Sequence, residues 1–148
     1  MTKLTLTPGT QVSSPYRAMT RERMRWYVDA QPTIAADDGR IHTQEPTIHD
    51  DDDYARAQGL PGIIADGMIS TNWIHSLLID IFGAGVNGRS KLSTKYVAPV
   101  YENDRIRAVV EVEQALNEAE GAVCVGCKVW CEDDKGRVVT FGNATVWV

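Results

Sequence analysis

The chain has 148 residues, a formal net charge of −5 and 43% hydrophobic residues. This length predicts a single domain over residues 1–148, and the acidic balance argues against a broad nucleic-acid-binding surface. The composition is that of a globular protein, without an apolar run long enough to span a membrane or the apolar core of a secretory signal. We therefore expect a cytoplasmic protein with neither a membrane nor a nucleic-acid partner.

The first predicted element is a helix that follows Thr20. This threonine is a candidate N-cap, and Met24 and Val28 lie four residues apart, which places them on one face. The helix should end before Pro32, because a proline interrupts the helical hydrogen-bond ladder. A polar loop follows, with a turn near residues 37–40.

Two more helices are predicted around the segment PTIHDDDDYARAQGLPGIIADGM, residues 46–68. Aspartates favour a helix N-terminus, so a short helix is expected over 50–58, with Gly59 just past its end and His49 just ahead of it. The second helix should begin near Gly67 and stop at Gly83. Its apolar residues cover most of its circumference, which is typical of a buried helix.

Four strand-like runs follow, over residues 91–97, 105–114, 122–131 and 137–148. Alternating apolar and polar residues favour half-buried strands, and EDDKG at 132–136 predicts a tight turn. Consecutive hairpins with one apolar helix predict an α+β fold in which an antiparallel sheet wraps the helix.

Three cysteines, Cys124, Cys127 and Cys131, fall in the third strand-like run. A C-x-x-C pattern invites a redox or zinc interpretation. On a strand, however, Cys124 and Cys127 would point to opposite faces, and the sequence lacks a second ligand pair. We expect reduced cysteines within the sheet.

The aspartate run 50–53 and the basic cluster 17–25 are the strongest charge features. Consecutive helical residues splay around the axis and cannot converge on one ion, so capping and solvation are expected and no metal site is predicted. The basic cluster could meet the phosphates of a ligand, although a solvated basic face is the more common outcome.

Three motifs together resemble the MaoC-like hotdog proteins of the (R)-specific enoyl-CoA hydratase type. T-I-H-D-D-D-D-Y-A resembles the family's I-H-x-D-x-x-x-A, and I-I-A-D-G-M resembles the start of its central helix. Y-V-A-P-V-Y-E-N-D resembles the P-V-x-x-G-D strand end. His49 and Gly67 are eighteen positions apart, as the resemblance requires.

The resemblance implies a hotdog fold and a site for acyl thioesters. His49 would act as general acid and base, and the backbone N–H of Gly67 would donate to the thioester oxygen. Met68, Asn72 and His75 would contact the substrate, although His75 could instead be a hydrogen-bonded core or dimer-interface histidine. No cofactor is expected beyond coenzyme A as part of the substrate. The thioester could be carried on coenzyme A or on an acyl-carrier protein, and a homodimer or a multiple of dimers is implied.

One departure concerns the carboxylate partner of the histidine. The family's D-x-N-P-I-H places an aspartate five positions before the histidine, where this chain has Gln44. Glu45 is the nearest preceding carboxylate and could compensate through its longer side chain, although Gln44 is equally open. Asp66 could supply a second acid–base group, or it could simply cap the central helix.

Three functions therefore stay open from the sequence. The first is a lyase that adds or removes water at an enoyl or 3-hydroxyacyl thioester. The second is a hotdog acyl-CoA thioesterase, which would activate water against the carbonyl itself. The third is a non-catalytic thioester-binding protomer, suggested by the missing aspartate.

Overall fold

A computed structural model describes residues 7–30, 46–117 and 122–148, which fall into two compact units. The sheet unit contains the described residues of 7–17, 67–98 and 105–148, and the histidine unit contains those of 18–66 and 99–104. The predicted single-domain organisation stays a prediction. The predicted loop at 33–44 and residues Gln44 and Glu45 lie outside the described residues.

A six-stranded sheet consists of β1 (Gln11–Ser13), β2 (Arg17–Ala18), β3 (Ser90–Tyr96), β4 (Arg105–Asn117), β5 (Val123–Asp133) and β6 (Val138–Trp147). Five of these strands, all except β2, lie entirely in the sheet unit. In the strand order β1-β4-β5-β6-β3, each strand is antiparallel to its neighbours. All four predicted strands are confirmed with ends within three residues, whereas β1 and β2 were missed because two or three residues are too few to show alternation.

The three helices are α1 (Arg21–Asp29), α2 (Asp52–Ala57) and α3 (Gly67–Phe82), and a short 3₁₀ helix (Ala84–Asn87) follows α3. Helix α3 packs against β3, β4, β5 and β6, so the predicted α+β hotdog arrangement is confirmed. Its apolar residues on the sheet side are buried: Ile69, Ile74, Leu77 and Leu78. Within the described residues, no helix is both long enough and apolar enough to cross a membrane.

Burial of α3 is one-sided, which corrects the expectation of a helix buried all round. Asn72, Ser76 and Asp80 recur every four residues on an exposed stripe. The sequence suggested full burial because Met68 and Ile79 are apolar, yet Met68 is 42% exposed. The number of apolar residues in the helix sequence therefore did not reveal its narrow polar face.

Local capping explains the two shorter helices. The Thr20 hydroxyl accepts a hydrogen bond from the Arg23 N–H, which confirms the predicted N-cap of α1. Asp51, rather than Asp50, caps α2 by accepting from the Tyr54 N–H at 2.8 Å. Gly59 follows the end of α2 with φ +86°, a left-handed conformation that favours glycine.

The cysteines lie on β5 as predicted and are not disulfide-bonded. Cys127 and Cys131 face the core, whereas Cys124 lies on the opposite face. Burial raises the pKa of Cys127 to about 11 and that of Cys131 to about 12. The buried pair therefore behaves as small apolar side chains rather than as reactive thiols.

Candidate active site

Residues 63–65 form an extended segment that is hydrogen-bonded to two other parts of the histidine unit. The Ile64 N–H donates to the Ile48 carbonyl at 3.0 Å, and the Ala65 N–H donates to the Val100 carbonyl at 2.9 Å. Ile64 also forms an isolated antiparallel bridge with Tyr101. This segment is therefore fixed on both sides by backbone hydrogen bonds, and its remaining groups can orient a side chain.

His49 is oriented by that segment. Its Nδ1 lies 2.9 Å from the Ile64 carbonyl oxygen, and its backbone N–H donates to the Thr47 hydroxyl oxygen at 3.1 Å. Because a carbonyl oxygen can only accept, the proton of a neutral His49 ring must be on Nδ1. The lone pair of the neutral ring is then on Nε2, where it can accept a proton.

Asp66 faces that nitrogen. Its Oδ2 lies 3.9 Å from Nε2 of His49, and the two side chains are 23% and 26% exposed. This distance is too long for a direct hydrogen bond, but one water or hydroxyl oxygen about 2.8 Å from each atom would bridge them. The geometry therefore suits two groups that act on a shared oxygen.

The four aspartates after His49 each have a different partner. Asp50 accepts from the Thr47 N–H at 2.7 Å, and Asp51 caps α2. Asp52 binds Arg21 and the Ile63 N–H, whereas Asp53 pairs with Arg56 and is almost fully exposed. Within the described residues no group of three or more His, Cys, Asp or Glu side chains could hold a metal ion.

The N-terminal turn of α3 contacts an aromatic ring that sequence reasoning missed. Gly67 packs directly against the ring of Tyr96, from β3. The Tyr96 hydroxyl lies 2.9 Å from the Thr71 hydroxyl, which also lies 2.8 Å from the Thr94 hydroxyl. The only sequence signal was that 94 and 96 share one face of a predicted strand.

The predicted substrate residues lie on α3. The Sδ atom of Met68 accepts a hydrogen bond from the Tyr96 hydroxyl at 3.0 Å. Asn72 is exposed, and His75 is partly buried one turn further along. Asp66 immediately precedes the helix, so its predicted N-cap role stays open. The structure brings His49 and Asp66 together, while Glu45 lies outside the described residues.

A comparison with family models matches residues 46–133 to the MaoC like domain. The match covers more than half of the chain and includes His49, Asp66 and Gly67. The chain belongs to the MaoC-like domain family. In this MaoC-like chain Asn103 occupies the glycine position of the P-V-x-x-G-D strand end and has φ 68°. Asparagine is one of the few residues besides glycine that tolerate this conformation.

Solved structures share the fold at low sequence identity. A MaoC-like dehydratase from Rhodospirillum rubrum aligns at a TM-score of 0.71 with 17% identity, covering 96% of this chain and 92% of that one. The HadBC (3R-hydroxyacyl-ACP dehydratase) complex from Mycobacterium tuberculosis aligns at 0.70 with 19% identity, covering 99% of both chains.

The (R)-hydratase from A. caviae involved in PHA biosynthesis aligns at a TM-score of 0.66 with 18% identity and covers 95% of both chains. No curated protein sequence matched this chain. At these identities the structural likeness shows the hotdog fold alone. The reaction must therefore be argued from the site.

Proposed function

We propose that this MaoC-like protein adds water to, or removes water from, an enoyl or 3-hydroxyacyl thioester. The observation that carries the proposal is the pairing of His49 Nε2 with Asp66 Oδ2 at 3.9 Å, with the opposite ring nitrogen held by Ile64. The similar structures described above are those of a hydratase and of dehydratases, which supports the same reaction class.

Asp66 takes the place of the missing family aspartate in this proposal. Hydration needs a base for water and a second group to orient it, and both acceptors here face a common point. Asp66 reaches that point from the end of the 63–65 segment, whereas the family's aspartate precedes the histidine in sequence. Glu45 stays a second candidate for the carboxylate.

The reaction balances with one water and these two side chains. The water oxygen bonds to C3 of the enoyl group while Nε2 of His49 takes one of its protons, and Asp66 accepts a hydrogen bond from the other. The electrons of the C2–C3 double bond move toward the thioester oxygen. The imidazolium then returns its proton to C2, which completes a 3-hydroxyacyl thioester.

Gly67 is the proposed oxyanion donor. It directly follows Asp66 in the chain and is the first residue of the 16-residue helix α3. The first N–H groups of a helix have no partner within the helix, and the helix dipole is positive at this end. Donors of this kind stabilise the negative charge that develops on the thioester oxygen. Met68, Asn72 and His75 are proposed to contact the acyl or carrier portion.

The decisive experiment measures hydration of crotonyl-CoA and longer or branched enoyl-CoA esters by loss of enoyl absorbance. His49→Ala should lower kcat by about 10²- to 10⁴-fold, the usual contribution of a general acid–base residue. Asp53→Asn is the matched control, because this exposed aspartate lies in the same segment but away from His49. Unchanged turnover in His49→Ala would refute the assignment.

Assays on the same protein preparation distinguish two other functions from the proposed lyase. Release of free thiol from saturated acyl-CoA would indicate a thioesterase. Binding of CoA esters without turnover on CoA or acyl-carrier-protein substrates would indicate a non-catalytic protomer. Either outcome would replace the proposed lyase.

We also propose a homodimer or a multiple of dimers. Among the described strands, the edge strand β3 has a hydrogen-bonded neighbour on one side only, and an edge of this kind can pair with another chain. Among similar structures, HadBC and ChsH1-ChsH2 are described as complexes. Light scattering at micromolar concentration tests this proposal, and a monomeric mass would contradict it.

A further inference from the structure

Arg21 joins two separate parts of the histidine unit. Its Nη1 and Nη2 donate to Asp52 at 2.9 and 3.3 Å, and its Nε and Nη2 donate to Glu102 at 3.2 and 2.7 Å. Both contacts use the planar fork of the guanidinium, which fixes orientation as well as distance. The hydrogen bonds that Arg21 donates to Glu102 and Asp52 raise its pKa, so it keeps its charge at any ordinary pH.

Both carboxylates lie on elements that contact the segment that orients His49. Asp52 Oδ1 also accepts from the Ile63 N–H at 3.0 Å, and the next residue, Ile64, supplies the carbonyl oxygen that lies 2.9 Å from His49 Nδ1. Glu102 follows Tyr101, which forms an antiparallel bridge with Ile64. Arg21 therefore links two contacts of the segment that carries the Ile64 carbonyl.

Stability is not a sufficient reason for this arrangement. The Arg21 side chain is 41% exposed, so solvent screens its ion pairs and lowers their contribution to folding. The bidentate pairs with Asp52 and Glu102 do, however, restrict the positions of two elements that contact this short segment. The contact of Asp52 with the Ile63 N–H transmits that restriction to the neighbouring carbonyl.

We propose that Arg21, through Asp52 and Glu102, is a positioning residue that fixes the Ile64 carbonyl and thereby the tautomer and direction of the His49 ring. The proposal rests on the proposed function of His49 as the base. Without Arg21, the Ile64 carbonyl shifts, the Nδ1–H tautomer loses its preference, and Nε2 no longer aims at the oxygen shared with Asp66.

The test uses ¹⁵N-histidine NMR together with kinetics. The chain has three histidines, so the His49 signals are assigned by their loss in His49→Ala. In the wild type, the ring of neutral His49 should carry its proton on Nδ1. Arg21→Gln should mix the two tautomers and lower kcat on the order of tenfold or more with KM changed less than about twofold, as expected for misplacement of a base.

Arg56→Gln is the matched control. Arg56 also forms an ion pair with an aspartate of α2, Asp53, and lines the same ≈ 250 Å³ cleft as Arg21. It forms no ion pair with Asp52, the carboxylate that accepts the hydrogen bond from the Ile63 N–H. It should leave the His49 signals unchanged. Arg21→Lys keeps the charge without the fork and should give an intermediate shift, which provides a folded variant should Arg21→Gln unfold.

Arg21 variants that stay folded with unaltered His49 signals would overturn the inference. Equal changes in Arg56→Gln would also overturn it, because they would indicate a general effect of lost surface charge. Absence of turnover by the wild type would defeat the proposed function instead. The tautomer measurement does not depend on turnover, so the two failures are distinguishable.

Discussion

The Tyr96 ring leaves no room for a side chain at Gly67. A β-carbon built on this glycine would lie 2.7 Å from two ring carbons of Tyr96, closer than van der Waals contact allows. The ring is held by the hydrogen bond of its hydroxyl to Thr71, so it cannot move without losing that bond. The start of α3 therefore requires glycine for a steric reason, independent of any role in catalysis.

Gly67→Ala should consequently be destabilised despite the high helix propensity of alanine. Overpacking of this kind costs roughly 1–3 kcal/mol, measurable by urea unfolding. Gly85→Ala is the control, because a β-carbon at Gly85 meets nothing within 4 Å. The double variant Gly67→Ala with Tyr96→Ala should show less than the sum of the two single losses. Full stability of Gly67→Ala would contradict the packing argument.

Asp66→Asn tests whether this carboxylate works with His49. An amide can still hydrogen-bond to water but cannot hold a negative charge beside an imidazolium, so kcat should fall by about 10²-fold. The effects of two groups that act on the same water molecule are not additive, so His49→Ala with Asp66→Asn should be little slower than His49→Ala alone. Multiplicative losses would show that the two residues act independently.

Thiol labelling tests the buried pair on β5. At pH 8 a thiol with a pKa of about 11, as at Cys127, is ionised to about one part in a thousand, and Cys131 less still. We expect an aromatic disulfide reagent to label Cys124 in the native protein and all three thiols in denaturant. Rapid labelling of Cys127 or Cys131 in the native state would contradict their burial.

Acid stability should depend on Asp133 at the β5–β6 turn. A hydrogen bond from the Arg137 side chain, aided by the N–H groups of Arg137 and Lys135, lowers the pKa of Asp133. A carboxyl whose pKa is lower in the folded than in the unfolded state stabilises the fold at pH values above its unfolded-state pKa, which is near 4. This stabilisation is lost as the pH falls through the folded-state pKa.

Asp133→Asn should therefore be less stable than the wild type near neutral pH, and the difference should shrink below about pH 4. Urea unfolding at a series of pH values measures both. Asp134→Asn is the control, since the adjacent Asp134 is exposed. A difference that persists unchanged in acid would show that the charge of Asp133 is not the cause.

The sequence determined the elements whose signals are local. Thr20, Gly59 and Gly83 set helix ends through capping and left-handed backbone, and alternation located β3 to β6 within three residues. The family motifs around His49 then supplied the fold. These features depend on neighbours a few positions apart, which is why they can be read without a structure.

The tertiary structure decided the partners of the functional residues. From the sequence, Glu45 and Gln44 just before His49, and Asp66 seventeen positions after it, were all open as its partner, and Asp66 is the carboxylate that faces Nε2 in the described structure. Arg21 and Glu102 are 81 positions apart in the sequence, so no periodic pattern of residues could indicate their contact. Contacts of this range follow from how extended segments pair, so only the folded chain decides which side chains meet.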